Sequence, residues 1–442
     1  MSIFSGLLNA QRSHFAGKEN ALASSMWFAT AGESVVTKPL NSSANVDVLV
    51  IGGGINGLTA MLQLTKLGVD AMLIEAGEFG EGASGRNAGM VNPGQFLGPD
   101  EIRAILGVEY GDIFVDELSK GPDLVKEILI EHDINCYADF RPVIRAAHDT
   151  KTAQMLHRQV KLWSDLGQPV EILEGNKLFE ITGSQRWKTA LMDYRGFTIQ
   201  PLAYVRGLAN AVLRKGGQLY QNVRATSLSR EGADWIVSTV EGHPIRAKKV
   251  IMATNAYTGS LHPAFAQALV TCGAFGVATC PLDKKLRGLI LPSGHSLYDT
   301  HKIPLFLRYD PEGRLMIGSL GNLSDDSRRS IEAWGKRVLK RLWPQLPAPQ
   351  WSHVWQGTIG LTNHHLPRLL SPEDGLIGTI GCNGRGIAAN SYFGRMVADI
   401  TMGRKVARPL PIEKQAPRAF KGPQQDGLDL AMRLYRNTFL LD

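Results

Sequence analysis

Between residues 46 and 75 the spacing of hydrophobic positions changes twice. Val46, Val48, Leu49, Val50 and Ile51 form a nearly continuous β-branched run, the pattern of a strand buried on both faces. Gly52-Gly53-Gly54-Ile55-Asn56-Gly57 interrupts the run, and apolar residues then recur at helical intervals from Leu58 to Leu67. A second apolar run ends at Glu75. The pattern predicts a strand, a tight turn, a helix and a second strand.

The same reading extends along the chain. Ile105, Tyr110, Ile113, Phe114, Leu118, Leu124 and Ile128 recur at roughly helical spacing with a break at Gly121-Pro122, which predicts two helices covering the first unit. Strands are predicted over 143–147 and 171–173, separated by a helix over 152–166. A helix over 202–214 ends at Lys215-Gly216-Gly217, followed by strands over 218–220, 235–239, 244–246 and 249–253. Two apolar strands, 303–308 and 314–318, flank Asp310-Pro311-Glu312-Gly313 and predict a hairpin. The helix over 327–342 carries Arg328, Arg329, Lys336, Arg337, Lys340 and Arg341, which read as a solvated face. A strand over 376–380, a glycine turn and a helix to about residue 402 repeat the opening pattern, and an amphipathic stretch over 428–439 predicts a packed terminal helix.

Composition narrows the class. A chain of 442 residues exceeds one ordinary core, so two domains are expected. No apolar run is long enough to span a bilayer, and the N-terminus lacks the basic and apolar regions of a secretory signal. Cys136, Cys272, Cys280 and Cys382 are scattered, which argues against a disulfide framework or a zinc site and for a cytoplasmic location. His364-His365 has no nearby carboxylate or cysteine partners, so no metal is expected. The net charge of +7 comes from Lys and Arg mixed with acids, the distribution of a solvated surface rather than a nucleic-acid stripe.

The glycines between the first strand and helix point to a dinucleotide. Gly52 permits the sharp turn, Gly54 lets the backbone approach a pyrophosphate, and Gly57 allows close packing of a helix whose first N–H groups, around Ile55 and Asn56, face the phosphates. Glu75 ends the second strand, where an acid accepts hydrogen bonds from a ribose diol. A second glycine-rich loop follows within ten residues, with Ala83, Ser84, Gly85, Arg86, Asn87, Ala88 and Gly89 at its centre. A nicotinamide dehydrogenase would share the first unit but needs neither this loop nor the distant Gly384-Arg385-Gly386 turn.

Glu75-Ala76 followed by Gly82-Ala83-Ser84-Gly85-Arg86-Asn87-Ala88-Gly89 resembles the FAD-dependent D-amino-acid oxidase-like family, in its γ-glutamylputrescine oxidase-like branch. The resemblance covers nearly all the chain after residue 45. It implies an α/β fold, with a discontinuous Rossmann-like FAD-binding domain over 46–95, 196–260 and 351–405. A mixed α+β substrate domain over 96–195 and 261–350, an arm over 1–45 and a tail over 406–442 complete it. It also implies FAD contacts at Val223, Thr254, Asn255, Gly384, Gly386 and Ile387, with the second glycine loop along the pyrophosphate and flavin. Residues 358–361 contain no cysteine where covalent relatives carry one, so noncovalent FAD is expected.

The activity implied is oxidation of a C–N bond in a small amine or amino acid, with oxygen or another molecule as electron acceptor. Arg385 is expected near the flavin pyrimidine or the substrate, and Arg308 is expected to hold a substrate carboxylate. Leu315-Met316-Ile317 stands where sarcosine-oxidising relatives carry an oxygen-activating lysine. A flavin-bearing RNA-modifying protein is the alternative from another class, since the family includes a tRNA-modifying member and the chain is basic.

Overall fold

The β-branched opening run is buried on both sides because it lies at the centre of a parallel sheet. Ala44–Ile51 pairs in parallel with Ala71–Ile74 on one side and Ile245–Met252 on the other. In this computed structural model, which describes residues 22–321 and 327–417, the sheet is mixed. Its strands run in the order Ile412–Glu413, Arg368–Glu373, Leu376–Ile380, Ile245–Met252, Ala44–Ile51, Ala71–Ile74 and Gln218–Tyr220. Asp234–Thr239 extends it beside Ile245–Met252 and pairs in turn with Ala225–Glu231.

Alternate residues of the central strand feed two different cores. Val48 and Val50 point to the helical side, where Ile55–Lys66 packs with Pro201–Arg214 and Ile387–Thr401 around Leu58, Tyr204, Leu208 and Phe393. Leu49 and Ile51 point the other way, onto Met72, Trp235, Val250 and Phe265. Period two with both sides apolar is what makes the run read as continuous.

A second sheet has the order Trp351–Leu361, Val270–Thr279, Leu315–Leu320, Phe306–Tyr309, Ser296–Asp299, Val143–Ala146, Thr189–Asp193 and Val170–Glu174. Leu297, Leu307, Leu315, Ile317, Phe275 and Val277 line one of its faces and meet Ile331, Trp334, Val338 and Leu342 of the helix Ser327–Leu342. The Lys and Arg positions of that helix between 328 and 340 are exposed, as its periodicity predicts. The opposite face carries a row in cross-strand register: Arg145, Tyr298, Phe306, Gly318, Gly276 and Trp355. This face looks toward the first sheet's glycine turns.

Several boundaries differ from the sequence reading. Trp351–Leu361, expected to open the last cofactor segment, pairs along its length with Val270–Thr279 in the second sheet. The helices Pro99–Ser119 and Gly121–Glu131 cover the first unit as their spacing predicts, sharing the core of Ile55–Lys66 and Ile387–Thr401 through Phe114, Leu118, Val125 and Ile128, although the bounds implied by the resemblance put them in the substrate segment. The strands expected over 244–246 and 249–253 are one strand, Ile245–Met252. Ala225–Glu231 was not anticipated, because its residues are almost all solvent-facing and show no apolar alternation. The terminal helix expected over 428–439 lies outside the described residues. Of the N-terminal arm, Met26–Thr30 is a short helix capped by Ser25, whose hydroxyl accepts from the Phe28 N–H. Its Met26 and Trp27 are fully buried against Leu202, Ala278, Met316 and Trp355.

Trp334 is fully enclosed and meets Phe275 edge-on at 5.0 Å between ring centroids. Trp334→Ala is expected to destabilise the second-sheet core by about 3–5 kcal/mol, read by chemical denaturation. A loss below about 1 kcal/mol would contradict the packing of this helix on the sheet.

Candidate active site

The glycine turn after the first strand leaves no space for side chains. Gly52 has φ +114°, and a Cβ there would lie 2.8 Å from the Ala253 carbonyl oxygen. A Cβ on Gly57 would lie 1.9 Å from the Gly52 oxygen, so only glycine lets the helix start this close to the strand end. A Cβ on Gly54 would meet the Ser84 hydroxyl at 2.7 Å. The helix Ile55–Lys66 begins with no acidic residue in its first turn and no side-chain cap on Gly54, and the Asn56 side-chain oxygen is buried without a partner. Its positive end therefore stands ready for a negatively charged ligand.

The second glycine loop is tied to that turn. Ser84 Oγ accepts from the Ile55 N–H at 3.1 Å. Ala83–Gly85 forms a single 3₁₀ turn, and the Asn87 amide donates back to the Ala83 and Ser84 carbonyls while accepting from the Gly89 N–H. Arg86 fans out to the Gly82 carbonyl, the Gln356 carbonyl and the Tyr257 hydroxyl, and the Trp355 indole donates to the Arg86 carbonyl. The loop is thereby fastened to the second sheet.

Glu75 sits where the ribose-binding acid is expected. Its carboxylate accepts from the Gly53 N–H at 2.6 Å and the Gly77 N–H at 3.0 Å. Burial pushes its pKa up, against the pull of those two N–H groups. Ala76 follows it, half-buried, and the Val223 N–H donates to the Glu75 carbonyl at 2.8 Å, so Val223 lies beside the acid.

The third piece joins two turns distant in sequence. Asn255, held at φ +43°, accepts from the Gly381 N–H at 2.9 Å and donates to Cys382 Sγ. Thr254 shares a hydroxyl contact of 2.7 Å with Thr258. Asn383 accepts from the Thr362 N–H at 2.8 Å, and Gly384, at φ +83°, faces Ile359 and Phe96. Gly386 caps the helix Ile387–Thr401, which again begins without an acidic residue or a capping side chain.

Arg385 reaches from this turn into the gap between the two units. Its Nη1 donates to the Pro93 and Gln95 carbonyls, Nη2 donates to the Tyr298 hydroxyl, and the guanidinium lies 4.5 Å from the Phe96 ring centroid. Burial lowers its pKa, with Tyr298 acting the other way. Arg308 departs from the expected carboxylate anchor. It is 3 % exposed, its Nη1 donates to the Ala88, Gly89 and Ile199 carbonyls, and its Nε donates to the Tyr309 carbonyl. Trp27 of the N-terminal arm covers it at 5.3 Å. The arm fills the row that Arg308 shares with Met316, so this guanidinium braces the second glycine loop. It also borders a cleft of about 600 Å³ with Asp139, Lys284, Arg287 and Tyr309, to which no glycine-turn residue contributes.

Phe96, Tyr298 and Arg145 were not singled out from sequence. Arg145 did leave a signal, as the one charge within an apolar strand, Val143–Ala146. The signal for Phe96 was weaker, its place just beyond the second glycine loop.

Together the parallel sheet, the two open helix starts and the facing second sheet define an enzyme built around a bound dinucleotide, with a separate roof over its far end. Residues 47–400 match the family described as FAD dependent oxidoreductase, and the chain belongs to it; FAD is its cofactor. A probable oxidoreductase named OrdL from Rhizobium meliloti is 28 % identical over 400 residues, 90 % of this chain and 92 % of that protein. Gamma-glutamylputrescine oxidoreductase from Escherichia coli is 28 % identical over 383 residues, 86 % of this chain and 89 % of that protein. Among solved structures, glycine oxidase from Geobacillus kaustophilus shares the fold with a TM-score of 0.70 at 19 % identity, covering 86 % of this chain and 100 % of that one.

The cradle can be tested at its tightest point. Gly57→Ala is expected to yield folded protein with little or no flavin, measured as the ratio of visible to ultraviolet absorbance; full flavin content would contradict the close approach at Gly52. A second test concerns His364, in the turn whose Thr362 N–H holds Asn383. Burial, reinforced by Arg368, holds its pKa down at about 4 against an ordinary 6.5. The unfolded chain takes up this proton first as pH falls, so stability is expected to decline from about pH 6.5 toward about pH 4. His364→Gln is expected to flatten that decline in a pH series of thermal melts.

Proposed function

We propose that this chain oxidises the C–N bond of a small primary or secondary amine or an amino acid. When bound, FAD supplies the hydride acceptor: the C–H next to nitrogen leaves with its electron pair, and the resulting imine is hydrolysed to a carbonyl compound and an amine or ammonia. Gly52, Gly54 and Gly57, with the N–H groups at Ile55 and Asn56, hold the pyrophosphate. Glu75 and Ala76 take the ribose, and Val223 the adenine. Ala83, Ser84, Gly85, Arg86, Asn87, Ala88 and Gly89 run along the cofactor toward its ring, Thr254 and Asn255 lie close to the pyrophosphate and ribityl chain, and Gly384, Gly386 and Ile387 bound the ring. Attachment is noncovalent.

One observation carries this reading: the row Arg145, Tyr298, Phe306, Gly318, Gly276 and Trp355 faces the Gly384–Arg385 turn, with the Trp355 ring lying across Gly276 and Tyr298 bonded to Arg385. A substrate seated there has aromatic walls at Phe96 and Tyr298. The roof excludes water while the C–H is held in place. The relative named gamma-glutamylputrescine oxidoreductase acts, by its name, on an amine of this kind, which supports the substrate class.

The test is anaerobic mixing of the FAD-loaded protein with polyamine derivatives, N-methylated amines and D- and L-amino acids, followed by visible absorbance. One class is expected to bleach the flavin, and readmitted air then separates an oxygen-using enzyme from one with another acceptor. If glycerol phosphates or other alcohols bleach it and no amine does, the proposal fails.

A further inference from the structure

The cleft that Arg308 borders carries positive charge which the protein leaves unpaired. It lies between the end of the hairpin strand at 308–311, the single turn Lys284–Arg287 with the chain that follows it to Gly294, and the loop over 137–141, and its volume is about 600 Å³. Both acids in its wall are already taken. Arg141 donates from Nε to both oxygens of Asp139 at 2.9 Å and from Nη1 to the Ser293 carbonyl at 2.9 Å. The buried Asp310 carboxylate accepts from Arg314 Nη1 at 2.7 Å and from the Arg314 N–H at 2.8 Å. Arg308 is spent on the carbonyls of Ala88, Gly89 and Ile199.

Lys284 and Arg287 are left over. They stand three residues apart on one helical turn, hence on one face of it. Among the described residues neither side chain has a hydrogen bond or an ion pair, and the Nε of Arg287 is buried without a partner. Arg287 is nevertheless fixed in place. It lies over Gly313, where a Cβ would stand 3.2 Å from its Cδ and Nη1. A half-buried guanidinium that makes no bond is costly to keep unless a ligand completes it. The backbone around the cleft is also unusual: Tyr137 and Leu291 both line it with left-handed φ angles, +50° and +43°, a conformation that bulky side chains rarely adopt and that concentrates at ligand clamps. Tyr137 lines the cleft while 48 % exposed, which leaves ring surface free for stacking.

We propose that this cleft is a second binding site, separate from the flavin cradle, for a phosphate dianion, either free or carried on a small ring-bearing molecule such as a nucleotide. Two unpaired cations match a dianion, whereas a single carboxylate would leave one charge over. The volume lies within the range of roughly 300–1,000 Å³ typical of small-molecule sites, which leaves room for a body beside the phosphate. Lys284 and Arg287 hold the phosphate, and Tyr137 meets the ring of the larger ligand. The site uses none of the residues assigned to the cofactor, and the inference stands apart from the amine-oxidising reading.

The experiment is calorimetric titration of the FAD-loaded protein with inorganic phosphate, AMP and adenosine at constant ionic strength, with visible absorbance followed to show that the flavin stays bound. Saturable binding of phosphate or AMP is expected, and none of adenosine. Lys284→Gln and Arg287→Gln are each expected to weaken binding about 10–100-fold, the range for loss of a charge-assisted hydrogen bond. Melting temperature and flavin content establish that each variant is folded, and Lys284, being exposed, can be changed without disturbing the packing at Gly313. Tighter binding of AMP than of phosphate, lost in Tyr137→Ala, supports a ring-bearing phosphorylated ligand, and equal affinities support free phosphate. A wild type that binds neither phosphate nor AMP overturns the proposal, as does adenosine binding as tightly as AMP, or an unchanged affinity in the folded Lys284→Gln and Arg287→Gln variants.

Discussion

A single methyl group at Gly57 would stand 1.9 Å from the Gly52 carbonyl oxygen, and the rest of the molecule is arranged around keeping that space empty. The contact brings the first turn of the helix down onto the end of the central strand, which leaves its positive end uncovered. Three other parts of the chain then converge on it. Ser84 reaches the Ile55 N–H, Glu75 grips Gly53, and the Ala253 carbonyl backs Gly52. None of these would meet if the helix began even one residue further from the sheet.

The second sheet answers a different constraint. One of its faces is an ordinary apolar layer under a helix, but the other faces the glycine turns of the first sheet and is not closed in the same way. The chain covers half of that face itself, with Met26 and Trp27 of the arm, and leaves the other half lined with arginine, tyrosine and phenylalanine. Arg308 and Arg145 share the sheet face but not the circumstance. The first is enclosed by protein and bonded to carbonyls, and the second retains a free edge.

How much of this can be read from the sequence follows from how far apart the partners are. The first strand–turn–helix unit is legible because its signals are local: a β-branched run, glycines and a helical period within thirty residues. The hairpin through Asp310 and the helix Ser327–Leu342 are legible for the same reason. Trp351–Leu361 is not, since its strand character depends on pairing with Val270–Thr279, some eighty residues earlier, and its own glycines at 357 and 360 read as loop. The fate of Arg308 was hidden because it depends on Trp27, and the importance of Arg145 because its neighbours Phe96 and Arg385 lie on separate segments.

The order of strands in the first sheet also has a consequence for synthesis. Ala44–Ile51 emerges early, but one neighbour, Ile245–Met252, comes two hundred residues later, and the next strand beyond it, Leu376–Ile380, later still. At about 5–20 residues per second, the site stays unfinished until the turn before the helix Ile387–Thr401 has been made. During that interval one long edge of an apolar strand has no partner on the ribosome. Newly made chains are therefore most exposed to aggregation before they can bind FAD, and cofactor supply can rescue only chains that have been completed.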